Sequence, residues 1–479
     1  MNKRFNGIGK KSIRQEKNSG NKESTMKKKF SSYFSELIPS RLSMTAMVLV
    51  LTVSAAICAA EPKEPVITDP VKQVEMGNKY LEGDGVKVDN ARAVNLFRKA
   101  AEQGNAEGQA MLGICYFDGL GVKLDRKEAV KWFRKAAEQG NFNGLCMLGN
   151  SYLHGEGVEK DEAKGVALIR KTAEQGYVKG QGCLGICYVL GLGVEKNEKE
   201  GIKWFRKAAE QGDVHSQMLL ADIYFKGIGT EVNGVEYAKW IRKAAEQGEP
   251  KAQARLGTCY AYGIGVKEND MEAIKWFRKS AEQGCSEGQI KLGICYERGI
   301  GGTKDPVKAV ELYRKAAEQG DSEGMVRLGV CYEFGIGIKK DSAEALKLFR
   351  KAAALKNPEG YVWIGLFYLH GNTVKADPVE TVKWFRKAAE LDLTDAQVLL
   401  GRCYFDGNGV KKNGEEAVKW FRKAVDQGDR DALYYLAVCY LEGVGVKADS
   451  AQGMELLAKA AEAGQEDAII MQKSFKKGK

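Results

Sequence analysis

Apolar residues recur at three- and four-residue spacing through most of the chain, in short segments separated by glycine. The segment AVKWFRKAAEQG, Ala129 to Gly140, is typical, and near copies of it begin at Ala273 and Ala417. Its apolar side chains fall on one face of a helix: Ala129, Trp132, Phe133, Ala136 and Ala137. The pattern therefore predicts amphipathic helices that bury one stripe each.

The helical segment returns at a fixed period. Aligned on the glycine of AEQG, the copies are 36 residues apart, with Lys356 and Asp392 where the glycine is lost. The glycines are Gly104, Gly140, Gly176, Gly212, Gly248, Gly284, Gly320, Gly428 and Gly464. We therefore expect eleven units between Pro70 and Gly464, without insertion or deletion.

Each unit reads as two helices joined by a turn. The first holds an LGxCY phrase such as Leu112 to Tyr116, and a turn such as Gly119-Leu120-Gly121 ends it, because glycine readily takes positive φ. Its tyrosine is present in every unit: Tyr80, Tyr116, Tyr152, Tyr188, Tyr224, Tyr260, Tyr296, Tyr332, Tyr368, Tyr404 and Tyr440.

The second helix of each unit begins after an Asp or Asn, the preferred N-cap residues. They are Asp89, Asp125, Asp161, Asn197, Asn233, Asn269, Asp305, Asp341, Asp377, Asn413 and Asp449. In seven units a Glu follows three residues later, as Glu128 follows Asp125, which predicts a capping box. Because one helix pair cannot bury its apolar face alone, the units must stack. The prediction is an all-α protein, a right-handed α/α solenoid of eleven helix-turn-helix repeats.

Composition fits a repeat array better than a set of linkers. Glycine is frequent, 56 residues against 8 prolines, and recurs at fixed intervals. The formal charge of +11 is concentrated at the N-terminus, where residues 1–43 hold eleven Lys or Arg and three Glu, which leaves +3 for the remainder. A nearly balanced body lacks the basic surface that nucleic-acid binding needs, so no nucleic-acid partner is expected.

The ends of the chain have their own patterns. The uncharged segment Leu42 to Ala60 follows the basic region 1–41, which we expect to be disordered. It suits a signal peptide cut before Glu61, with Met26 as a candidate start, or a membrane anchor, and a chance apolar run in a disordered tail is the third interpretation. The first two predict an exported protein, periplasmic or secreted, or one anchored in the inner membrane. A linker 61–69 follows, and residues 465–479 form a capping helix and a basic tail.

The columns A…LGxCYxxGxGV…D…A…WFRKAAEQG resemble the Sel-1-like repeat family, a relative of the tetratricopeptide repeat. The resemblance covers 70–464, which is 395 of 479 residues. It implies an α/α solenoid that serves as a scaffold or adaptor, often exported in bacteria and binding protein or peptide partners. Some cysteine-rich relatives resemble penicillin-binding proteins or β-lactamases and staple each repeat with a cysteine pair.

Cysteine usage here departs from that stapled pattern. Seven of the eleven cysteines occupy one position of the repeat: Cys115, Cys187, Cys259, Cys295, Cys331, Cys403 and Cys439. Stacked helices lie about 9–10 Å apart, beyond the roughly 7 Å limit for a disulfide. The position is interpreted as a small apolar core site. Cys183 and Cys187 are four residues apart but have no nearby His or acidic partner in sequence, so neither a metal nor a cofactor is expected.

Catalytic motifs are not recognisable. The three histidines are His154, His215 and His370, none beside a nucleophile motif, and no Gly-x-Gly turn continues as a phosphate-binding loop. The sequence therefore favours a non-enzymatic scaffold. Two alternatives stay open, an exported β-lactamase or penicillin-binding-like enzyme and a structural rod of the cell envelope.

A binding surface is expected at positions that do not repeat. Positions equivalent to 107, 111, 114 and 118 share one face of the first helix, which lines the concave side by analogy with tetratricopeptide arrays. Along the array this face turns from apolar to basic to aromatic, a groove in which peptide carboxylates could meet the cations. The candidates are Arg255, Tyr262, Lys291, Arg298, Arg327, Phe334 and Trp363. The alternative is drift, with apolar members simply packed against the next repeat.

Three departures from the consensus are close to this face. The segments ALKNPEG, Ala354 to Gly360, and ELDLTD, Glu390 to Asp395, abandon the AEQG phrase, and Thr373 replaces the second turn glycine. The interpretations of such a departure are a bend in the solenoid, a contact with a partner, or a loss of the consensus residues without consequence.

Overall fold

The computed structural model describes residues 67–302, 304–371 and 373–477. These residues contain twenty-three α-helices and no strand. The first helices of the repeats are α1 (Pro70–Glu82), α3 (Ala106–Asp118), α5 (Phe142–His154), α7 (Val178–Leu190), α9 (Val214–Lys226), α11 (Pro250–Tyr262), α13 (Ser286–Arg298), α15 (Ser322–Phe334), α17 (Pro358–His370), α19 (Thr394–Asp406) and α21 (Arg430–Glu442). The second helices are α2 (Asn90–Glu102), α4 (Arg126–Glu138), α6 (Glu162–Glu174), α8 (Glu198–Glu210), α10 (Gly234–Glu246), α12 (Asp270–Glu282), α14 (Pro306–Glu318), α16 (Ser342–Ala354), α18 (Pro378–Glu390), α20 (Gly414–Asp426) and α22 (Ser450–Glu462).

The helices pack in chain order within two compact units, residues 67–247 and 248–477 of the described chain, here called the N-terminal and C-terminal units. In each unit a first helix contacts its own second helix, which in turn contacts the first helix of the next repeat. This stacking of helix pairs confirms the predicted α/α solenoid. The last helix, α23 (Glu466–Lys477), covers the final repeat with Ala468, which is buried against Leu457 and Ala460.

Each first helix ends at a glycine in the left-handed region, as predicted. Gly119 has φ +72° and Gly121 has φ +68°. A Cβ on Gly121 would lie 2.3 Å from the carbonyl oxygen of Asn90 in the preceding repeat, so the second glycine of the turn is required for close stacking. In the ninth repeat the exposed Thr373 stands at this position.

The second helices begin at the predicted caps, but the capping box is wrong. Asp125 accepts a hydrogen bond from the backbone N–H of Glu128 at 3.0 Å, and all eleven predicted caps bond in this manner. The reciprocal bond does not form, because the N–H of Asp125 donates to the Tyr116 carbonyl at 2.8 Å. The Glu128 carboxylate instead accepts from Lys131 Nζ at 2.7 Å. The first helix thus already supplies the acceptor that a capping box would provide.

The core of a repeat is an aromatic ring laid over a glycine. Phe133 is fully buried, and a Cβ on Gly113 would lie 2.5 Å from its ring. In the eleventh repeat the ring is replaced by Leu457, and the matching glycine becomes Ala437. The position of the ring thus holds a buried apolar side chain in every repeat, as expected of a close-packed interior.

The cysteine column lies in this core, which confirms its interpretation as an apolar packing position. Every cysteine of the column is buried, and the ten cysteines of the described residues are free thiols. Burial raises the pKa of Cys115 to about 12 and that of Cys187 to about 12. These thiols are therefore held neutral, as small hydrophobic side chains.

The two helices of a repeat are also joined by paired glutamines, which the sequence analysis missed. Gln139 Nε2 donates to Gln109 Oε1 at 2.8 Å, linking the AEQG glutamine to the first helix of the same repeat. Seven such pairs form, each 30 residues apart: Gln73–Gln103, Gln109–Gln139, Gln181–Gln211, Gln217–Gln247, Gln253–Gln283, Gln289–Gln319 and Gln397–Gln427. Seven of the helix hairpins are thus each closed by a hydrogen-bonded glutamine pair, here called the glutamine clasp.

The irregular repeats change both members of this clasp together. Leu355 and Leu391 replace the AEQG glutamine, and the positions 30 residues earlier hold Met325 and Tyr361. Lys356 and Asp392 keep the left-handed turn, with φ of 60° and 65°. The departures are therefore coordinated substitutions within the framework of the hairpin.

Candidate binding surface

The seven predicted residues lie on four consecutive first helices of the C-terminal unit, α11, α13, α15 and α17. They form two rows, which we call the C-terminal face. The inner row is Arg255, Lys291, Arg327 and Trp363, and the outer row, seven residues later on three of the helices, is Tyr262, Arg298 and Phe334. Residues at this spacing lie on the same side of a helix.

The outer row is exposed. Each member is the last residue of its first helix, directly before the turn glycine. Tyr262 is 39% exposed and Phe334 is 44% exposed, and Arg298 between them is also exposed. The turns thus present two aromatic side chains and a cation at the surface of successive repeats.

The inner row is less exposed than the outer row, and two of its cations already have a carboxylate partner. Lys291 Nζ lies 3.9 Å from Glu323 Oε1, and Arg327 Nη2 lies 3.5 Å from the same oxygen. The Lys291 side chain is 31% exposed and that of Arg327 is 20% exposed. One carboxylate is therefore shared by two of the predicted cations, which the sequence-based picture of a basic ladder omitted.

Arg327 stands at the centre of a partly buried charge cluster. Burial alone would lower the pKa of Arg327, but the carboxylates of Glu323 and Glu359 raise it above its ordinary value. Glu297 adds a further negative charge, and its Oε2 accepts a hydrogen bond from the Tyr313 hydroxyl at 2.7 Å. Among the described residues, Arg327 Nε has no acceptor although it is buried. The guanidinium is thus fixed by several carboxylates rather than aimed at solvent.

Glu323 and Glu359 belong to a run of acidic residues that the sequence analysis overlooked. Five successive first helices carry an acidic residue in the first turn, here called the acidic column: Glu287, Glu323, Glu359, Asp395 and Asp431. A carboxylate at this place is stabilised by the helix dipole. Following position 107 through the repeats would have found it, since the N-terminal unit holds Glu107, Asn143, Lys179 and His215 there.

Trp363 is placed in the core rather than on the surface. It is 8% exposed, and its ring stacks on Phe349 with centroids 5.2 Å apart and an interplanar angle of 8°. The Phe334 ring meets the Trp363 ring edge-on, with centroids 5.9 Å apart. Trp363 is therefore a buried residue that packs against the exposed Phe334. It contributes to the C-terminal face only through this contact.

Three of the five equivalent residues of the N-terminal unit are apolar and buried. Met147 is 6% exposed, Cys183 is 1% exposed and Leu219 is 8% exposed. For these three positions the interpretation as apolar residues packed against the next repeat is correct, because their side chains are buried within the solenoid.

The described residues bring together contacts suited to binding and no recognisable reaction centre. His154 is an exposed residue at the end of α5, and partial desolvation of its imidazole lowers its pKa. Among the described residues, no group of three or more His, Cys, Asp or Glu is arranged to hold a metal ion. The sequence-based expectations of no catalytic residue, no metal and no cofactor stay predictions.

The described part of the chain holds no helix long and apolar enough to span a bilayer. The segments predicted as basic region and as signal or anchor, 1–41 and 42–60, lie outside the described residues, as does most of the linker 61–69.

Stacked helix pairs with a charged and aromatic face define the class: a helical-repeat solenoid. The Sel1 repeat model matches the chain eleven times, at residues 73–105, 106–141, 143–177, 184–213, 214–249, 250–285, 286–321, 322–357, 358–393, 394–429 and 430–465. The chain therefore belongs to the Sel1 repeat family, as the resemblance of its motifs indicated. Sel1 repeats commonly form scaffolds for protein–protein interaction.

The solved structure of one relative agrees with this assignment. The chain is 35% identical to c5321, a protective antigen of uropathogenic Escherichia coli strains with an SLR fold, over 86% of this chain and 88% of that one, with a TM-score of 0.60. A Sel1 repeat protein from Oxalobacter formigenes is 31% identical over 64% of this chain and 89% of its own, with a TM-score of 0.44. Helicobacter pylori cysteine rich protein B is 32% identical over 27% of this chain and 92% of its own, with a TM-score of 0.23. Comparison with curated protein sequences found no significant match.

Proposed function

We propose that this protein is a non-enzymatic scaffold that works outside the cytosol and binds a protein or peptide partner through the C-terminal face. The observation that carries the proposal is the outer row, where Tyr262, Arg298 and Phe334 are exposed on three consecutive repeats. Aromatic residues and arginine are the types most enriched in the centres of protein interfaces. Regular spacing along stacked helices suits an extended segment of a partner.

The location is supported by the uncharged segment Leu42 to Ala60 behind a basic region. An exported location is also consistent with the description of the E. coli relative as a protective antigen. Mass spectrometry of the N-terminus in cell fractions tests it. A periplasmic or secreted chain that starts at Glu61 is expected, an intact N-terminus in the inner membrane would favour the anchor, and recovery from the cytosol alone would contradict export.

Binding is tested with a variant of the outer row, Tyr262→Ala, Arg298→Glu and Phe334→Ala combined. These side chains are exposed, so the substitutions leave the core intact. Reversing the inner row is a poorer test, because Arg327 is enclosed by carboxylates and its loss would destabilise the repeat.

A matched control carries the same three kinds of change on second helices of the same unit. It is Met271→Ala, Val307→Ala and Arg314→Glu, at positions that are also exposed. Wild type and both variants are used to capture partners from the cell envelope, after circular dichroism has shown equal helix content. The proposal expects a partner bound by wild type and the control but not by the outer-row variant. A partner bound equally by all three would contradict it, as would the absence of any partner.

A further inference from the structure

A surface groove of about 660 Å³ lies between α16, the second helix of the eighth repeat, and the turn that follows α17. Thr373 and Val374 of this turn form one wall of the groove. In the preceding turn Gly337 stands at the position of Thr373, and a Cβ on it would lie 2.2 Å from the Pro306 carbonyl oxygen of α14. Because a threonine side chain does not fit into such a contact, the groove opens where threonine replaces the glycine.

The floor of the groove is apolar. Leu346 is 4% exposed and belongs with the half-buried Val374 to one hydrophobic cluster. Ala343 and Ala354, both exposed, stand at the two ends of the same face of α16. They are eleven residues apart, which is about 17 Å along a helix. The groove is therefore an elongated apolar surface that is open to solvent along its length.

Three exposed cations line this apolar surface, Lys347, Arg350 and Lys351. Lys347 has a partner on its own helix, since its Nζ lies 3.1 Å from Glu344 Oε2. The other two differ from it. Within the described chain, the side chains of Arg350 and Lys351 have no hydrogen-bond, ion-pair or aromatic partner. Two cations of the groove are thus available to another molecule.

Other repeats satisfy the same two positions internally. In six repeats the lysine lies over a tryptophan three residues earlier, as Lys387 Nζ lies 4.1 Å from the centre of the Trp384 ring. The arginine can donate to the tyrosine hydroxyl of the next repeat, as Arg386 Nη2 does to Tyr404 at 2.6 Å. In α16 the tryptophan is replaced by Leu348, so the lysine loses its aromatic partner.

The acidic residue that ends the second helix is also missing from α16. Ten of the eleven second helices end in Glu or Asp, such as Glu318 and Glu390 in the adjacent repeats, whereas α16 ends in Ala354. Residues four apart are neighbours on a helix, so the alanine removes a negative charge from beside Arg350. Three cations of α16 then face the single carboxylate of Glu344. The groove therefore carries a net positive charge above its apolar floor.

We infer that this groove binds an extended acidic segment of a partner protein, with a carboxylate held by Arg350 and Lys351 and an apolar side chain on the floor at Leu346. Cations without an internal partner gain charge-assisted hydrogen bonds from a carboxylate. An extended chain rises about 3.3–3.6 Å per residue, so about five residues cover the length of the groove. The groove shares no residue with the outer row. The inference therefore goes beyond the proposed function and does not depend on it.

The test is fluorescence anisotropy with the full chain at low salt. The probe is a fluorescein-labelled pentapeptide of alternating glutamate and leucine, which matches the length, the charge and the apolar character of the groove. A second peptide has glutamine in place of glutamate, so it loses the charge and keeps the leucines. Unlabelled decanoate, a fatty acid with the same combination of carboxylate and apolar chain, is the competitor that separates a lipid from a protein segment.

The variant that removes the cations is Arg350→Gln with Lys351→Gln. Its matched control is Arg314→Gln with Lys315→Gln, at the same exposed positions of the preceding repeat. That repeat also lacks the tryptophan, but it keeps the acidic end of its second helix and is followed by a turn with glycine. Ala354→Glu is a second variant, which restores the acidic residue of the other repeats at an exposed position.

The glutamate peptide is expected to bind wild type, and the loss of both cations should weaken binding at least about tenfold. The control should stay within about twofold of wild type. Ala354→Glu should weaken binding about threefold or more, because it returns a negative charge to the groove. No binding by the glutamate peptide, equal binding by the glutamine peptide, or an equal loss in the control variant would each overturn the inference. Equal melting temperatures would show that the variants are folded.

Thr373→Gly separates the shape of the groove from its charge. It restores the glycine of the closed turn and leaves all three cations in place, so binding of the glutamate peptide should weaken about threefold or more as the apolar floor is covered. Unchanged affinity in Thr373→Gly would overturn the placement of the segment in the groove. Displacement of the labelled peptide by decanoate at a lower concentration than by unlabelled peptide would assign the groove to a fatty acid and would also overturn it.

Discussion

The first helices of the two units have the same framework and opposite surfaces. In both units the chain is capped by the same Asp or Asn, and the same ring lies over the same glycine. In the N-terminal unit the variable positions are filled by buried Met147 and Cys183, whereas in the C-terminal unit Lys291 and Arg327 surround Glu323. The difference shows that the framework sets the fold and leaves these positions available for another role.

The largest effect is expected from the framework, and it should be equal in the two units. Phe133→Ala and Phe349→Ala each remove a fully buried ring from over a glycine. Each should lower the free energy of unfolding of its unit by about 3–5 kcal/mol. Urea unfolding followed by circular dichroism measures this. A loss in one unit with no loss in the other would break the claim of a common framework.

The next effect comes from giving the C-terminal face the side chain of its N-terminal counterpart. Arg327→Met places there the residue found at Met147 and leaves Glu323 and Glu359 without their common cation. The free energy of unfolding should fall by about 2–3 kcal/mol, and adding Glu323→Gln and Glu359→Gln should restore most of it. Arg298→Met on the exposed outer row is the control. An unfolding transition of Arg327→Met at the same urea concentration as wild type would refute the charge cluster.

A smaller effect is expected at Asp118, the last residue of α3, in the N-terminal unit. Burial, with a further contribution from Glu156, raises the pKa of this carboxyl to about 6, against the opposing effect of Arg126. Its folded pKa exceeds the unfolded value of about 4, so its contribution to stability is complete below about pH 4 and is lost as the pH rises through about 6.

Asp118→Asn removes this titration. It should therefore flatten the dependence of stability on pH between about 4 and 6. At pH 7 it should stabilise the protein by about 1–2 kcal/mol, allowing for solvent screening of a partly exposed group. Melting temperatures across this pH range measure the effect, with Asp406→Asn at the exposed equivalent position as the control. A slope identical to wild type would contradict the assignment.

The smallest effect concerns the glutamine clasp. Gln109→Met alone leaves the amide of Gln139 without its partner and should cost about 0.5–1.5 kcal/mol. Gln109→Met with Gln139→Leu reproduces the combination of Met325 and Leu355 in the eighth repeat and should return to within about 0.5 kcal/mol of wild type. Additive losses in a double-mutant cycle would show that the two positions are independent.

The fold was predictable because its determinants are local and periodic. The 36-residue step, the caps and the turn glycines each depend on residues close in sequence, and the structure confirms them. The capping box failed because the competing acceptor, the Tyr116 carbonyl, comes from the preceding helix. The glutamine clasp was missed because its members are 30 residues apart and each looks like an ordinary surface residue.

The candidate surface was predictable only in part. The position of Phe334 and Tyr262 at exposed helix ends follows from the repeat alignment. The environment of Arg327 follows only for Glu323, four residues earlier on the same helix, because Glu359 and Glu297 come from neighbouring repeats. The burial of Trp363 likewise depends on Phe349, which lies on the preceding second helix. The balance of charge on such a face depends on residues that the fold brings together from different repeats. A single column of the repeat alignment does not show it.

Hydroxyl-radical footprinting of the chain with its captured partner tests the central claim most directly. Tyr262 and Phe334 are exposed on first helices of the C-terminal unit, and Met271 and Val307 are exposed on second helices of the same unit. Partner binding should protect Tyr262 and Phe334 from oxidation and leave Met271 and Val307 as reactive as in the free protein. Protection of Met271 and Val307 with no change at Tyr262 and Phe334 would place the working surface on the opposite helices and contradict the account.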